Sequence, residues 1–220
     1  MIEHTYYMNK GLYIFLELKS YFLLSLVFLF CTYSIDAQNY KYEKLESYKY
    51  NMDYIDALIN KSDFYFISGN AEKAIQIEKE KTDILVYLLD NESNNDNIYD
   101  WYKLEYIKSL KTLATLFNKI GDLDNRSLYC NMHTEYCKKF YGKTSKEYIE
   151  ALSFQAFYYY NSGNYRKAIE LENEALLIQE NENIIDSTAY AISHRNMAIY
   201  NREIGNINIA LNYIDKSIAF

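Results

Sequence analysis

Three side chains that could bind a metal ion lie close together in the sequence, at Cys130, His133 and Cys137. Their spacing of three and four residues places them on one face of a helix. Two thiolates and an imidazole can bind zinc, given a fourth ligand. The same spacing suits the buried face of an amphipathic helix, where cysteine packs as a small apolar residue. We favour this packing interpretation and keep the zinc site as the alternative.

Other chemical signatures are missing from the sequence. It has no HExxH pattern, no glycine-rich phosphate-binding loop and no serine-nucleophile motif. His194 has no cysteine or carboxylate at metal-ligand spacing beside it, which favours a packing or capping role. We therefore predict that the chain is not an enzyme and uses no cofactor.

The composition favours long helices. Among 220 residues there is no proline and there are only 6 glycines, while 50% of the residues are hydrophobic. Proline and glycine are the residues that most disfavour a helix interior, so their scarcity allows helices to run on. The net charge of −7 argues against nucleic acid or an anionic membrane as partner, because such partners attract basic surfaces.

An export signal is predicted at residues 1–37. Lys10 and Lys19 precede an apolar run at 21–31, and Ala37 stands at a suitable cleavage position. The run is too short for a membrane span, which needs roughly 18 to 20 residues. We therefore expect cleavage, no stable span afterwards, and a periplasmic, cell-envelope or secreted location. An uncleaved anchor is the alternative. Residues 38–51 form a polar lead-in to the fold.

An internal repeat organises the rest of the chain. Gly121, Gly163 and Gly205 are spaced by 42 residues each, and Gly69 lies 52 residues before Gly121. The longer first interval fits a polar insertion at 91–100. A repeat of this length is typical of stacked supersecondary units.

The neighbours of these glycines repeat as well. Each glycine is followed by Asn or Asp, a small residue lies seven positions before it, and tyrosine lies fifteen positions before it. Alanine lies five positions after it in three of the four copies, and Arg126 takes that position in the other. The recurring residues are Asn70, Asp122, Asn164 and Asn206; Ser62, Ala114, Ala156 and Ala198; Tyr54, Tyr106, Tyr148 and Tyr190; and Ala74, Ala168 and Ala210.

Each recurring residue has a physical role in a helix, a tight turn and a second helix. The glycine ends the first helix in a left-handed conformation, and Asn or Asp suits the start of the second. The small residues let the two helices approach closely. One such pair cannot bury its own apolar face, so the units must stack on one another.

This pattern resembles the tetratricopeptide repeat (TPR), and the 42-residue spacing is similar to the long-helix type found in kinesin light chains and many bacterial proteins. The resemblance implies an all-α fold, a right-handed solenoid of antiparallel helix pairs with about four repeats. It covers residues 52–220, with repeats at about 52–90, 104–141, 146–183 and 188–220. Arg126 and His133 replace the usual alanines, so we expect looser packing in the second repeat.

The resemblance also implies a concave groove lined by the first helix of each repeat. Positions 13, 10, 6 and 3 before each glycine should point into it. Cations and aromatic rings there would suit an extended peptide with acidic residues. A solvated helix face with ordinary charge scatter is the alternative. The predicted groove residues are Lys108, Lys111, Asn118, Phe157, Tyr160, Arg195 and Arg202.

The predicted function is that of an exported, non-enzymatic scaffold that binds a peptide or protein segment in this groove. The fourth repeat ends at 218–220 on apolar residues and without a polar cap. We expect either a truncated array or a face that a partner covers. The alternative function is therefore the sensory or regulatory part of a larger signalling or protease-like protein. The oligomeric state stays open.

Overall fold

A computed structural model describes residues 52–91, 97–182 and 187–219. The predicted signal segment and lead-in at 1–51 lie outside the described residues. Within those ranges the regular structure is entirely helical, which confirms the all-α prediction. The helices are α1 (Met52–Ile67), α2 (Ala71–Asn91), α3 (Asn97–Lys119), α4 (Leu123–Tyr141), α5 (Lys146–Asn161), α6 (Tyr165–Asn181), α7 (Ser187–Glu203) and α8 (Ile207–Ile218).

The turn between α5 and α6 shows how the glycine motif works. Gly163 has a φ of 76°, in the left-handed region that glycine adopts without strain. The Asn164 N–H then donates to the Tyr159 carbonyl at 2.9 Å, which caps the end of α5. The Asn164 side chain in turn accepts from the Lys167 N–H at 3.2 Å and so caps the start of α6. The predicted role of the Gly-Asn pair is confirmed here.

Successive helices pack against one another along the chain. The described part of the chain forms four hairpins, α1–α2, α3–α4, α5–α6 and α7–α8, and the second helix of each of the first three packs against the first helix of the next. The recurring small residues lie where the helices approach: Ser62, Ala114 and Ala156 are fully buried, as are Ala74 and Ala168. The predicted stacking of helix pairs is therefore confirmed.

The third helix begins earlier than the repeat pattern placed it. The spacing assigned residues 91–100 to a polar insertion and began the second repeat at about 104. The structure instead begins α3 at Asn97. Tyr102 is 5% exposed, so this added turn contributes to the core. The many Asn and Asp residues of this stretch indicated a loop, although its last residues begin an amphipathic helix.

Arg126 occupies the position of the missing alanine and is buried. It is 5% exposed, and its guanidinium donates to Asn118 Oδ1 at 3.3 Å and to Ser162 Oγ at 2.6 Å. The guanidinium also lies 5.4 Å from the centroid of the Tyr158 ring. Arg126 therefore connects the second and third hairpins, where the sequence suggested looser packing.

The last helix carries an exposed apolar face. Ile207, Leu211, Ile214 and Ile218 of α8 are 52%, 54%, 42% and 77% exposed. Ile214 corresponds by repeat position to Cys130, which is 2% exposed because α5 covers α4. No helix in the described ranges covers α8 in that way. None of the described helices is long and apolar enough to cross a membrane.

Candidate functional site

The predicted groove residues lie on the first helices of the second, third and fourth hairpins, α3, α5 and α7. We call the solvent-facing side of α1, α3, α5 and α7 the A-helix surface. Its predicted members are exposed or half-buried, and Tyr160 is among the half-buried ones. Phe157 is 49% exposed, a large value for an aromatic side chain. A ligand surface must be accessible in this way, and the assignment of a groove stays a prediction.

The cations of this surface fall into two groups. Lys108 pairs with Glu105 at 2.7 Å, and Arg202 pairs with Glu203 at 2.6 Å, so a carboxylate of the same helix already partners each of them. Among the described residues, Lys111 and Arg195 form no ion pair. These two side chains are therefore available to pair with a carboxylate of a ligand.

Aromatic rings lie on the helices that carry this surface. Lys111 Nζ lies 5.1 Å from the centroid of the Phe154 ring, a cation–π distance. The Tyr160 ring packs 5.1 Å from the Tyr200 ring, which ties α5 to α7. Sequence reasoning missed Phe154. Its contact with Lys111 joins α5 to α3 and becomes visible only once these two helices are placed side by side.

The cysteine and histidine cluster is part of the core. Cys130, His133 and Cys137 are 2%, 4% and 1% exposed, so all three side chains are buried between helices. His133 Nε2 lies 3.8 Å from Cys137 Sγ, and the His133 ring contacts the Phe154 ring at 5.3 Å between centroids. No group of three or more potential ligands that could hold a metal ion occurs within the described ranges.

Burial controls the protonation of this cluster. It raises the pKa of each thiol to about 12, so both thiols are protonated at neutral pH and neither is a nucleophile. Burial, assisted by the nearby charge of Lys111, lowers the pKa of His133 to about 4. The imidazole is therefore neutral at pH 7.

His194 also packs in the core, as its isolation in the sequence predicted. It is 1% exposed, and its ring lies 4.3 Å from the Tyr190 ring and 5.7 Å from the Tyr213 ring. Burial lowers its pKa, so it stays neutral at pH 7. Its contacts join α7 to α8 and hold the fourth hairpin together.

A buried carboxylate joins three helices. Glu172 of α6 is fully buried; it accepts from the Ser153 hydroxyl at 2.8 Å and from the Asn196 amide at 3.3 Å. Burial raises its pKa, and these hydrogen bonds partly offset that effect. Because its oxygens bind side chains of α5 and α7, Glu172 acts as a polar link between hairpins.

The stacked pairs, the glycine turns and the solvent-facing first helices define a TPR-like helical-repeat fold. No model of a known protein family and no curated protein sequence matches the chain. Solved structures do share the fold. A Podosopora anserina kinesin light chain-like protein with nearly identical TPR-like repeats superposes with a TM-score of 0.57 at 13% identity, over 75% of this chain and 74% of that chain.

A point variant of the same Podosopora anserina protein gives a TM-score of 0.58 at 13% identity, over 77% of this chain and 75% of that chain. BtubC (BKLC) from P. vanneervenii is also similar, with a TM-score of 0.46 at 12% identity, over 84% of this chain and 88% of that chain. The two Podosopora anserina structures establish the TPR-like architecture.

Proposed function

We propose that this chain is an exported, non-enzymatic scaffold whose A-helix surface binds a segment of another protein that carries acidic side chains. The observation that carries the proposal is the pair of unpaired cations, Lys111 and Arg195, on the solvent-facing side of α3 and α7. Phe157 is exposed on α5, the helix between them in chain order. Solenoids of this kind present extended surfaces that suit a long ligand segment.

The two cations suit carboxylates in different ways. An arginine can bind a carboxylate through two parallel hydrogen bonds, whereas a lysine acts as a point charge. An exposed aromatic ring adds apolar contact area at little cost in side-chain entropy. A segment with two acidic residues and an apolar residue between them therefore matches the order of these side chains.

The overall charge of −7 does not prevent this binding. At physiological salt the electrostatic interaction between exposed charges is screened beyond about 8 Å. An acidic segment bound at Lys111 and Arg195 therefore senses mainly the charges within that distance. The rest of the acidic surface discourages binding elsewhere.

Two further parts of the proposal rest on other observations. Export rests on the signal-like sequence at 1–37, which lies outside the described residues. The absence of catalysis is supported by the protonated thiols of Cys130 and Cys137 and by the neutral imidazole of His133. Each of these groups is committed to packing between helices.

Selection of random ten-residue peptides displayed on phage against the full chain tests the binding proposal. We expect the selected peptides to be enriched in Asp and Glu. The double variant Lys111→Glu and Arg195→Glu should lower their affinity about tenfold or more, because two attractions become repulsions. Fluorescence anisotropy of a labelled selected peptide measures this change.

The matched control is the double variant Lys143→Glu and Arg166→Glu. Both residues are exposed, and neither belongs to the first helix of a hairpin, so the control changes the net charge equally at other places. It should bind the peptide as the unmodified chain does. Equal losses in both double variants, or selected peptides with no excess of acidic residues, would refute the proposal.

A further inference from the structure

The tyrosine fifteen residues before each turn glycine has a recurring partner. The hydroxyl of Tyr54 donates to Glu80 at 2.8 Å, and that of Tyr148 donates to Glu174 at 2.9 Å. In both cases the glutamate stands eleven positions after the glycine, on the second helix of the same hairpin. Carboxylate acceptors make such hydrogen bonds strong.

The fourth hairpin uses a different glutamate for the same purpose. The hydroxyl of Tyr190 donates to Glu180 at 2.6 Å, and Glu180 lies on α6, the second helix of the preceding hairpin. Glu180 stands seventeen positions after Gly163. The fold therefore offers two places from which a carboxylate can reach this tyrosine.

For the tyrosine of the second hairpin, both places are apolar. Met132 stands where Glu80 and Glu174 stand, and Val86 stands where Glu180 stands. Tyr106 is 1% exposed, and in the described part of the chain its hydroxyl has no carboxylate hydrogen-bond partner. Burial, with the neighbouring Tyr136 hydroxyl, raises the pKa of Tyr106, so the phenol stays protonated and is a donor.

A cleft opens beside Tyr106, between α2, α3 and α4. Its volume is about 320 Å³, within the range of small-molecule sites. Val86 and Leu89 of α2 line one wall, and Tyr136 and Phe140 of α4 line another. The Tyr106 ring lies 4.8 Å from the Tyr136 ring, so aromatic and aliphatic side chains share the lining with the charged groups of Asp90, Lys103 and Lys139.

One lysine at the cleft is available to pair with an anion. Lys139 Nζ lies 5.1 Å from the centroid of the Tyr136 ring, and Lys103 Nζ lies 5.2 Å from that of Tyr99. Lys103 also pairs with the exposed Asp100. Asp90 is the acidic residue of the lining, so with Asp100 the two lysines meet two carboxylates. Lys139 forms no ion pair with any described residue and is the main cation available.

We propose that this cleft binds a small carboxylic acid with an aromatic or aliphatic body. The ligand carboxylate takes the place of the glutamate that the other three repeated tyrosines hold, and accepts a hydrogen bond from the Tyr106 hydroxyl. Lys139 offsets its charge. The apolar body packs between Val86 and Leu89 on one side and Phe140 on the other.

Isothermal titration of the full chain with phenylacetate and hexanoate tests this inference, with 2-phenylethanol as the uncharged counterpart. We expect saturable binding of at least one acid and at least about tenfold weaker binding of the alcohol. Tyr106→Phe should weaken acid binding about tenfold, because it removes one hydrogen bond to a charged group. Tyr54→Phe is the matched control, since Glu80 already occupies that hydroxyl, and it should leave binding unchanged.

A second variant supplies the missing carboxylate from the protein itself. Val86→Glu places a glutamate where Glu180 stands opposite Tyr190, so we expect it to abolish acid binding. The inference is overturned if neither acid binds saturably at roughly 10 mM. It is equally overturned if Tyr106→Phe and Val86→Glu bind as the unmodified chain does, or if Tyr54→Phe weakens binding as much as Tyr106→Phe.

Discussion

Acidification from about pH 6.5 to about pH 4 is expected to destabilise the helical array by about 3 kcal/mol through His133. The unfolded chain binds a proton on this histidine near pH 6.5, whereas the folded chain resists protonation until about pH 4. Each tenfold difference in proton affinity is worth about 1.4 kcal/mol. The neutral histidine therefore contributes stability above pH 6.5 that is lost as the pH falls through the folded-state value.

Urea unfolding followed by circular dichroism at several pH values measures this effect. The variant His133→Leu cannot be protonated there, so its stability should depend less on pH by about the same 3 kcal/mol. The raised pKa of Glu172 acts in the opposite sense, since protonation of that carboxyl favours the folded state as the pH falls. It is present in both proteins, so their difference isolates His133. Identical pH dependence in the two proteins would contradict a buried, neutral imidazole.

Replacement of Ala168 by leucine is expected to destabilise the third hairpin by about 1 to 3 kcal/mol. Ala168 is fully buried in the same apolar cluster as Ala156, between α5 and α6. The added isopropyl group has no space there, so the helices must move apart or the side chain must adopt a strained rotamer.

The neighbouring substitution Lys167→Leu is the control for Ala168→Leu. Lys167 is exposed and its ion pair with Glu170 lies at the surface, so its loss should cost about 0.5 kcal/mol or less. Thermal or urea unfolding of both variants measures the difference. Similar stability of Ala168→Leu and Lys167→Leu would show that the repeated alanine does not set the distance between the helices.

The features that could be predicted from the sequence are those governed by local backbone geometry and periodicity. The spacing of Gly121, Gly163 and Gly205 indicated the turns, because a left-handed residue is needed at each helix end. The small residues indicated where helices approach. By contrast, the predicted start of the second repeat was several residues too late, because the polar residues at the first turn of α3 resembled an insertion.

Other features depend on contacts between residues that are far apart in the chain. That Lys108 is paired whereas Lys111 is not follows from side-chain geometry rather than from position in the repeat. The contact of Arg126 with Ser162 crosses from one hairpin to the next. Tyr54, Tyr148 and Tyr190 each donate a hydrogen bond to a glutamate. Only a comparison with these three bonds shows that Tyr106 has no such carboxylate partner among the described residues.

The location of the ligand on the A-helix surface is the central claim, and site-specific photocrosslinking tests it most directly. The photoreactive residue p-benzoylphenylalanine is placed at position 157 in one protein and at position 177 in another. Phe157 and Leu177 are similarly exposed, at 49% and 47%, but Leu177 lies on α6, a second helix of a hairpin. We expect a selected acidic peptide to crosslink at position 157 and not at position 177. Crosslinking at position 177 alone, or equally at both positions, would contradict binding at the A-helix surface.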